Sequence, residues 1–280
     1  MKNNILVIGG TGKTGRKVVQ RLNALQQNVR VGSRNANPSF DWEKPDTWPA
    51  AMEGMGKMYV TFQPDLAVPG ALEAIEALTK QAKHSGIKKI VLLSGKGERE
   101  AELCEQVVIN SAIDHTIIRA SWFNQNFSES FFLDPIIAGH VALPQAEAKV
   151  PYVDTDDIAD VAVEVLMNDK HNGQIYELTG PELLTFPEVI SEIAHATGRT
   201  IEFTPISLIA YTKMLEDFGV PSDYIWLINY LFTEVLAAKE NEVITKDIEK
   251  VLGRQPKSFS EYVKETVATG VWNSKVNEVL

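Results

Sequence analysis

The sequence predicts an α/β fold, a parallel sheet doubly wound by helices, followed by a smaller and mainly helical C-terminal lobe. Three observations predict it. An unbroken apolar run, Ile5-Leu6-Val7-Ile8, leads into glycines at positions 9, 12 and 15 and then into a helical pattern of Val18, Val19, Leu22 and Leu25. Short apolar runs and helical patterns alternate through the first two-thirds of the chain. Beyond Gly180-Pro181 helical periodicity dominates. Alternation of this kind implies a parallel sheet covered on both faces, with any ligand at the carboxyl ends of its strands.

Each element follows from its local pattern. The run Ile5–Ile8 has no polar face and reads as a strand buried on both sides. Further strands are expected at Val29–Gly32, Met58–Phe62, Ile90–Ser94, Thr116–Ile118 and Gln174–Leu178. Helices are expected between them at Thr14–Leu25, Gly70–Ser85, Glu100–Asn110 and Asp156–Met167. Residues 128–148 contain Pro135, Gly139 and Pro144 without a clear period and read as a loop excursion. The C-terminal part shows helices at Phe186–Thr197, Leu208–Phe218, Tyr224–Ala238 and Ser258–Thr266, with a strand at Ile201–Thr204. Its aromatic residues (Tyr211, Phe218, Tyr224, Trp226, Tyr230, Phe232) read mostly as core. The pattern divides the chain into a dinucleotide-binding lobe, residues 1–127 plus 149–180, and a substrate lobe, residues 128–148 plus 181–280.

Composition narrows the function. A chain of 280 residues can bury the core of one large domain or of a domain plus a lobe. A net charge of −10 argues against a general nucleic-acid binder. No apolar run is long enough to span a bilayer, and the N-terminus enters a core strand directly, so no signal peptide is expected. Cys104 is the single cysteine, which excludes an internal disulfide and makes a cytoplasmic location the default. The five histidines lack ligand spacing, so no metal is expected. Asp154, Asp156, Asp157 and Asp160 are read as helix-start acids opposing the helix dipole.

The glycine turn carries the main functional signal. Gly12-Lys13-Thr14 imitates the end of a phosphate-binding P-loop, but that motif needs a glycine where Val7 stands. The spacing fits a dinucleotide turn instead. Gly9 makes the turn, Gly12 admits the pyrophosphate and Gly15 allows the helix to pack on the strand. Thr11, Lys13 and Thr14 complete the binding segment of a Rossmann-type fold. An NAD-preferring site places a carboxylate after the second strand, yet no acidic residue occurs from Met1 to Phe40. The strand ends in Ser33 and Arg34, a hydroxyl and a guanidinium suited to a 2′-phosphate. NADP(H) is the expected cofactor, and Lys13 adds positive charge for the same phosphate.

Several stretches together resemble the NmrA-like branch of atypical short-chain dehydrogenases/reductases. They are Val31-Gly32-Ser33-Arg34, Phe40-Asp41-Trp42, Thr116-Ile117-Ile118-Arg119 with Trp122 to Phe127, Pro151-Tyr152-Val153-Asp154 with Asp156 to Ala159, and Leu178 to Glu182. The segment from Ser33 to Trp42 is similar to ergot-alkaloid (agroclavine-type) dehydrogenases, and the general pattern to triphenylmethane reductases. The resemblance implies NADP(H) use, with Asp41 and Trp42 near the adenine end. It also implies Thr61, Phe62, Gln63, Ser94, Gly95 and Lys96 along the ribose and nicotinamide, and Trp122 and Phe123 near the nicotinamide face. Catalytic members of the wider superfamily carry a Tyr-x-x-x-Lys pair. Anchored on Glu105-Gln106, that pair falls on Gly97 and Ala101, so both groups are missing.

The loss leaves two readings. Ser94 stands at the usual catalytic serine position, where it serves catalysis or merely caps the strand end. Tyr152, Lys96 and Glu98 are candidate proton donors. A carbonyl substrate needs such a donor, whereas iminium ions, quinone methides and triarylmethyl cations accept hydride directly. The leading expectation is an NADP(H)-dependent reductase of an electrophilic small molecule. The competing one is a redox sensor that binds NADP(H) and a protein partner without turnover. Whether the chain forms a homo-oligomer is open.

Overall fold

The computed structural model describes residues 4–273. In chain order the first elements are β1 (Asn4–Ile8), α1 (Gly15–Ala24), β2 (Asn28–Gly32), α2 (Trp48–Met52) and β3 (Lys57–Val60). They continue with α3 (Ala71–His84), β4 (Lys89–Gly95), α4 (Arg99–Ile109) and β5 (Asp114–Ala120). Next come α5 (Leu133–Ala138), β6 (His140–Leu143), α6 (Thr155–Met167), β7 (Gln174–Leu178) and α7 (Phe186–Thr197). The chain ends with β8 (Glu202–Pro205), α8 (Leu208–Asp217), α9 (Ser222–Tyr230), α10 (Asp247–Leu252) and α11 (Phe259–Val267).

The chain divides into two compact units. The first comprises the residues up to Ala120 together with Thr155–Leu178 and Thr245–Arg254. Among the described residues it holds a six-stranded parallel sheet in the order β2-β1-β3-β4-β5-β7. This is the Rossmann-type architecture expected from the strand–helix alternation. Ile5 to Ile8 are all fully buried, as an apolar strand in the middle of a covered sheet requires. After β1 the chain steps outward to β2 and then crosses back to β3 on the other side. The switch point therefore lies between β1 and β3, where an open α/β sheet forms its ligand crevice.

Thr245–Arg254 joins the first unit although sequence periodicity places it in the second lobe. Its side chains explain why. Asp247 accepts from the Glu177 backbone N–H at 2.9 Å, and Thr245 donates to the Glu177 carbonyl, so the segment covers the outer edge of β7. Arg254 pairs with Asp157 at 2.6 Å and Asp160 at 2.5 Å on α6.

The second unit comprises Ser121–Asp154, Thr179–Ile244 and the residues from Gln255 on. It packs helices around a small parallel pair, β6 and β8, in register from His140 with Glu202 to Leu143 with Pro205. Residues 128–148 are thus not a plain loop excursion. Pro135 sits in the first turn of α5, where its missing N–H costs no helical bond, and Gly139 ends the helix at φ +85°. The core is aromatic: Phe127 meets Phe132 at 5.2 Å and Phe259 at 5.8 Å between ring centroids, and Phe186 and Phe232 close the cluster. Tyr211 and Phe232 are buried as expected, whereas Phe218, Tyr224 and Trp226 are exposed. The helix expected over Tyr224–Ala238 ends at Tyr230 and continues as a π-turn, Leu231–Leu236.

Candidate functional site

The turn after β1 is built by close approaches that only glycine permits. Gly9 has φ +73°, and a Cβ there would lie 2.0 Å from Thr61 Oγ1. A Cβ at Gly15 would lie 2.2 Å from the Gly9 carbonyl oxygen, so α1 sits directly on the turn. The Gly9 N–H donates to Gly32 O at 2.9 Å, tying the turn to β2. Tyr59 on β3 and Thr14 share a buried hydroxyl contact at 3.0 Å, which fixes the start of α1 against the sheet. Among the described residues no side chain caps α1, and its first turn carries no acidic residue. An uncapped helix N-terminus beside a glycine turn is an anion site by its backbone N–H groups and dipole.

Ser33 and Arg34 follow β2 at the same edge. Arg34 is exposed and, among the described residues, makes no ion pair. Asp41 is engaged locally: its backbone N–H donates to Thr47, its side chain accepts from the Glu43 N–H at 3.1 Å, and Lys44 lies 3.8 Å away. Trp42 packs within an aromatic group, 4.7 Å from Phe62 and 5.2 Å from Phe40. The loops after β2 and β3 are thereby joined, with Thr61 and Gln63 flanking Phe62.

Ser94, at the end of β4, is not a free hydroxyl. It is buried and donates to Glu105 Oε1 at 2.6 Å. Glu105 is 0 % exposed and accepts three bonds from Arg119, at 2.7 to 3.0 Å. Arg119 stands opposite Ser94 in the β4–β5 register. Gly95 and Lys96 follow, and the Lys96 N–H donates to Ala120 O at 2.9 Å. Burial pushes the Lys96 amine below the usual lysine range, against the opposing pull of Glu177.

Trp122, Phe123 and Tyr152 belong to the second unit. Trp122 meets Phe232 at 5.8 Å, and Phe123 bridges Val153 by backbone. Tyr152 is 2 % exposed within the aromatic core, and its hydroxyl has no hydrogen-bond partner among the described residues. Burial pushes its phenol well above the ordinary value. A buried unpaired hydroxyl is a cost, so Tyr152→Phe is expected to leave stability unchanged or raise it by about 1 kcal/mol. A thermal melt checks this, and a loss above that size would show that the hydroxyl has a partner.

Comparison with known proteins bears on this arrangement. Residues 101–263, more than half of the chain, match the NmrA-like family. The chain belongs to that family. It is 32% identical to Prestalk A differentiation protein A of Dictyostelium discoideum, over 95% of this chain and 93% of that protein. It is 27% identical to agroclavine dehydrogenase of Claviceps fusiformis, over 96% and 98% of the two chains. The crystal structure of Citrobacter sp. triphenylmethane reductase complexed with NADP(H) superposes with a TM-score of 0.77 at 19% identity, covering 94% of this chain and 100% of that one. That likeness shows a shared fold.

In this NmrA-like chain the acidic group of α6 is held by cations. Asp156 pairs with Lys17 at 2.9 Å and Arg21 at 2.8 Å, and Asp160 pairs with Arg21 and Arg254. Asp154, in the second unit, accepts from Gln125 at 3.0 Å. Among the described residues no group of three or more His, Cys, Asp or Glu is placed to hold a metal, and no helix is long and apolar enough to cross a membrane. Sequence reading did not single out the Glu105–Arg119 pair. The available signal was a carboxylate on the buried face of α4, beside Ala101, Cys104 and Val108.

Proposed function

We propose that the protein is an NADP(H)-dependent oxidoreductase that passes hydride to an electrophilic small molecule without a Tyr-Lys dyad. The observation that carries this is the glycine turn against an uncapped α1, with Arg34 beyond β2 making no ion pair among the described residues. The geometry fits a dinucleotide. Gly12 is exposed, and among the described residues a Cβ built there would meet only the Gly9 oxygen, at 3.2 Å, which supports room for a pyrophosphate above the turn. The N–H groups of Thr11, Thr14 and Gly15, with the α1 dipole behind them, hold the pyrophosphate, Ser33 and Arg34 the 2′-phosphate, and Lys13 adds charge. Trp42 and Phe62 offer apolar surface for the adenine end, and Gly95 and Lys96 border the ribose and nicotinamide.

When bound, NADPH supplies a hydride; delivered to an iminium carbon it leaves an amine and NADP⁺. The residues of this chain bind, orient and exclude water. Gly97 and Ala101 offer no proton donor, and Ser94 already donates to Glu105. The reading therefore favours iminium ions, quinone-like rings or cationic aromatics, which need no acid at the hydride step. The names agroclavine dehydrogenase and triphenylmethane reductase, borne by two similar proteins, agree with that class.

The test is NADPH consumption against a panel of iminium, quinone and dye substrates. Turnover with one class supports the reading. Tight NADPH binding with no turnover across the panel replaces it with an NADP(H)-sensing regulator. Arg34→Ala is expected to weaken NADPH binding ~10–100-fold, the worth of a charge-assisted hydrogen bond, while NADH binding holds. Unchanged NADPH affinity removes Arg34 from the site.

A further inference from the structure

The loops after β3 and β4 carry two carboxyl groups that the proposed chemistry does not use. Glu98 is 6 % exposed, and its carboxyl group fills the space beside Gly95: a Cβ there would fall 1.9 Å from Oε1 and 2.1 Å from Cδ. Its side chain is hydrogen-bonded to that of Asp65, whose Oδ1 also accepts from the Ala67 N–H at 2.8 Å. Glu98 Oε2 is buried and has no partner among the described residues. The ionisable groups facing the pair are acidic too. Glu100 and Glu105 lie on α4, and Cys104 of the same helix feels Asp65 and, from α3, Glu73. Two carboxyl groups hydrogen-bond to each other only if one is protonated, and burial disfavours ionising both at once. Burial first, and Asp65 second, hold Glu98 well above the usual carboxylate range, and burial raises Asp65 as well.

We propose that Asp65 and Glu98 share one proton and, as positioning residues, latch the β3–α3 loop to the Gly95-Lys96-Gly97 turn in the shape the cofactor requires. The proposal rests on the cofactor reading above. Losing the shared proton leaves two adjacent buried carboxylates, which repel and part the loops. The sign follows from the raised Glu98 value. The folded state holds a proton that the unfolded chain releases in the ordinary carboxylate range, so stability is lost as pH rises from that range toward the raised value. NADPH affinity falls in the same direction.

The experiment uses the full chain and compares wild type, Glu98→Gln, Glu98→Ala and Gly95→Ala from about pH 5 to about pH 9. Melting temperature without nucleotide and NADPH Kd are both read. Glutamine keeps a donor toward Asp65 and removes the titration. The wild-type melting temperature is expected to fall with pH relative to Glu98→Gln. Wild-type Kd is expected to weaken about tenfold, the equivalent of one pKa unit, while Glu98→Gln stays level. Glu98→Ala and Gly95→Ala, which remove or displace the carboxyl, are expected to bind NADPH poorly throughout. Lys96, whose amine burial lowers, is common to wild type and Glu98→Gln, so their difference isolates Glu98.

Superimposable melting profiles for wild type and Glu98→Gln overturn the shared proton. Differing melting profiles with identical Kd profiles overturn the positioning role. If wild type binds no NADPH at all, the cofactor reading fails and the positioning role with it, while the melting profiles still decide the shared proton.

Discussion

Replacing Gly15 by alanine is expected to loosen α1 from the sheet and to weaken NADPH binding on the order of 100-fold, the cost of misplacing a binding group by about 1 Å. The added Cβ would fall 2.2 Å from the Gly9 oxygen, 2.7 Å from the Gly9 carbonyl carbon and 2.9 Å from the Gly10 Cα. All three are backbone atoms that cannot rotate away, so the helix must shift. Overpacking of this kind costs ~1–3 kcal/mol, which the better helix propensity of alanine offsets only in part. Gly12→Ala makes the informative contrast. Among the described residues its Cβ would meet a single atom, the Gly9 oxygen at 3.2 Å, a tight contact that a shift of a few tenths of an ångström relieves, so the stability loss is smaller than for Gly15→Ala. On the proposed reading affinity should nevertheless drop, because that reading has glycine at position 12 serve the pyrophosphate rather than the packing. Paired melts and NADPH titrations separate the two. If Gly12→Ala binds as well as wild type, the turn is structural and the dinucleotide reading loses its main support.

This contrast shows where sequence is readable. The β1 turn lies within eleven consecutive residues, so its spacing carries both strand and ligand information. The helix Phe186–Thr197 is equally local: Thr185 and Glu188 cap one end reciprocally and Gly198 closes the other at φ +65°. β6 is different. Its four residues are a strand only because Glu202–Pro205 lies alongside, and no pattern within His140–Leu143 announces that partner. The short α10 likewise takes its place from Asp247 reaching β7 and Arg254 reaching α6, contacts that bridge distant parts of the chain. The candidate site divides the same way. Its glycine turn is contiguous, and its shape is legible in the spacing of Gly9, Gly12 and Gly15. The Asp65–Glu98 and Glu105–Arg119 pairs join residues from separate elements: sequence marks Glu98 as a candidate donor and picks out Glu105 and Arg119 separately, but nothing local joins either residue to its partner.

Glu105→Ala is expected to destabilise the protein by about 3 kcal/mol, near the lower end of the ~3–5 kcal/mol range for breaking a buried ion pair. Arg119 is 18 % exposed, which permits partial hydration of the stranded guanidinium and keeps the loss from the upper end. Glu102 and Glu177, each 3.5 Å from Arg119, give some compensation but stand at the rim. The same substitution releases the Ser94 hydroxyl from its acceptor. This makes Ser94 the diagnostic position. If its hydroxyl serves the strand end, Ser94→Ala costs ~1 kcal/mol of stability, the worth of one hydrogen bond, and leaves NADPH oxidation near wild type. If it acts on substrate, kcat falls ~100-fold or more with little change in the melt. The 2.6 Å bond to a carboxylate already saturated by an arginine favours the first outcome. In the double variant Ser94→Ala/Glu105→Ala the losses should then fall short of additive, because the serine no longer has an acceptor to lose. Strict additivity would place Ser94 outside the Glu105–Arg119 unit and return it to the list of groups facing the substrate.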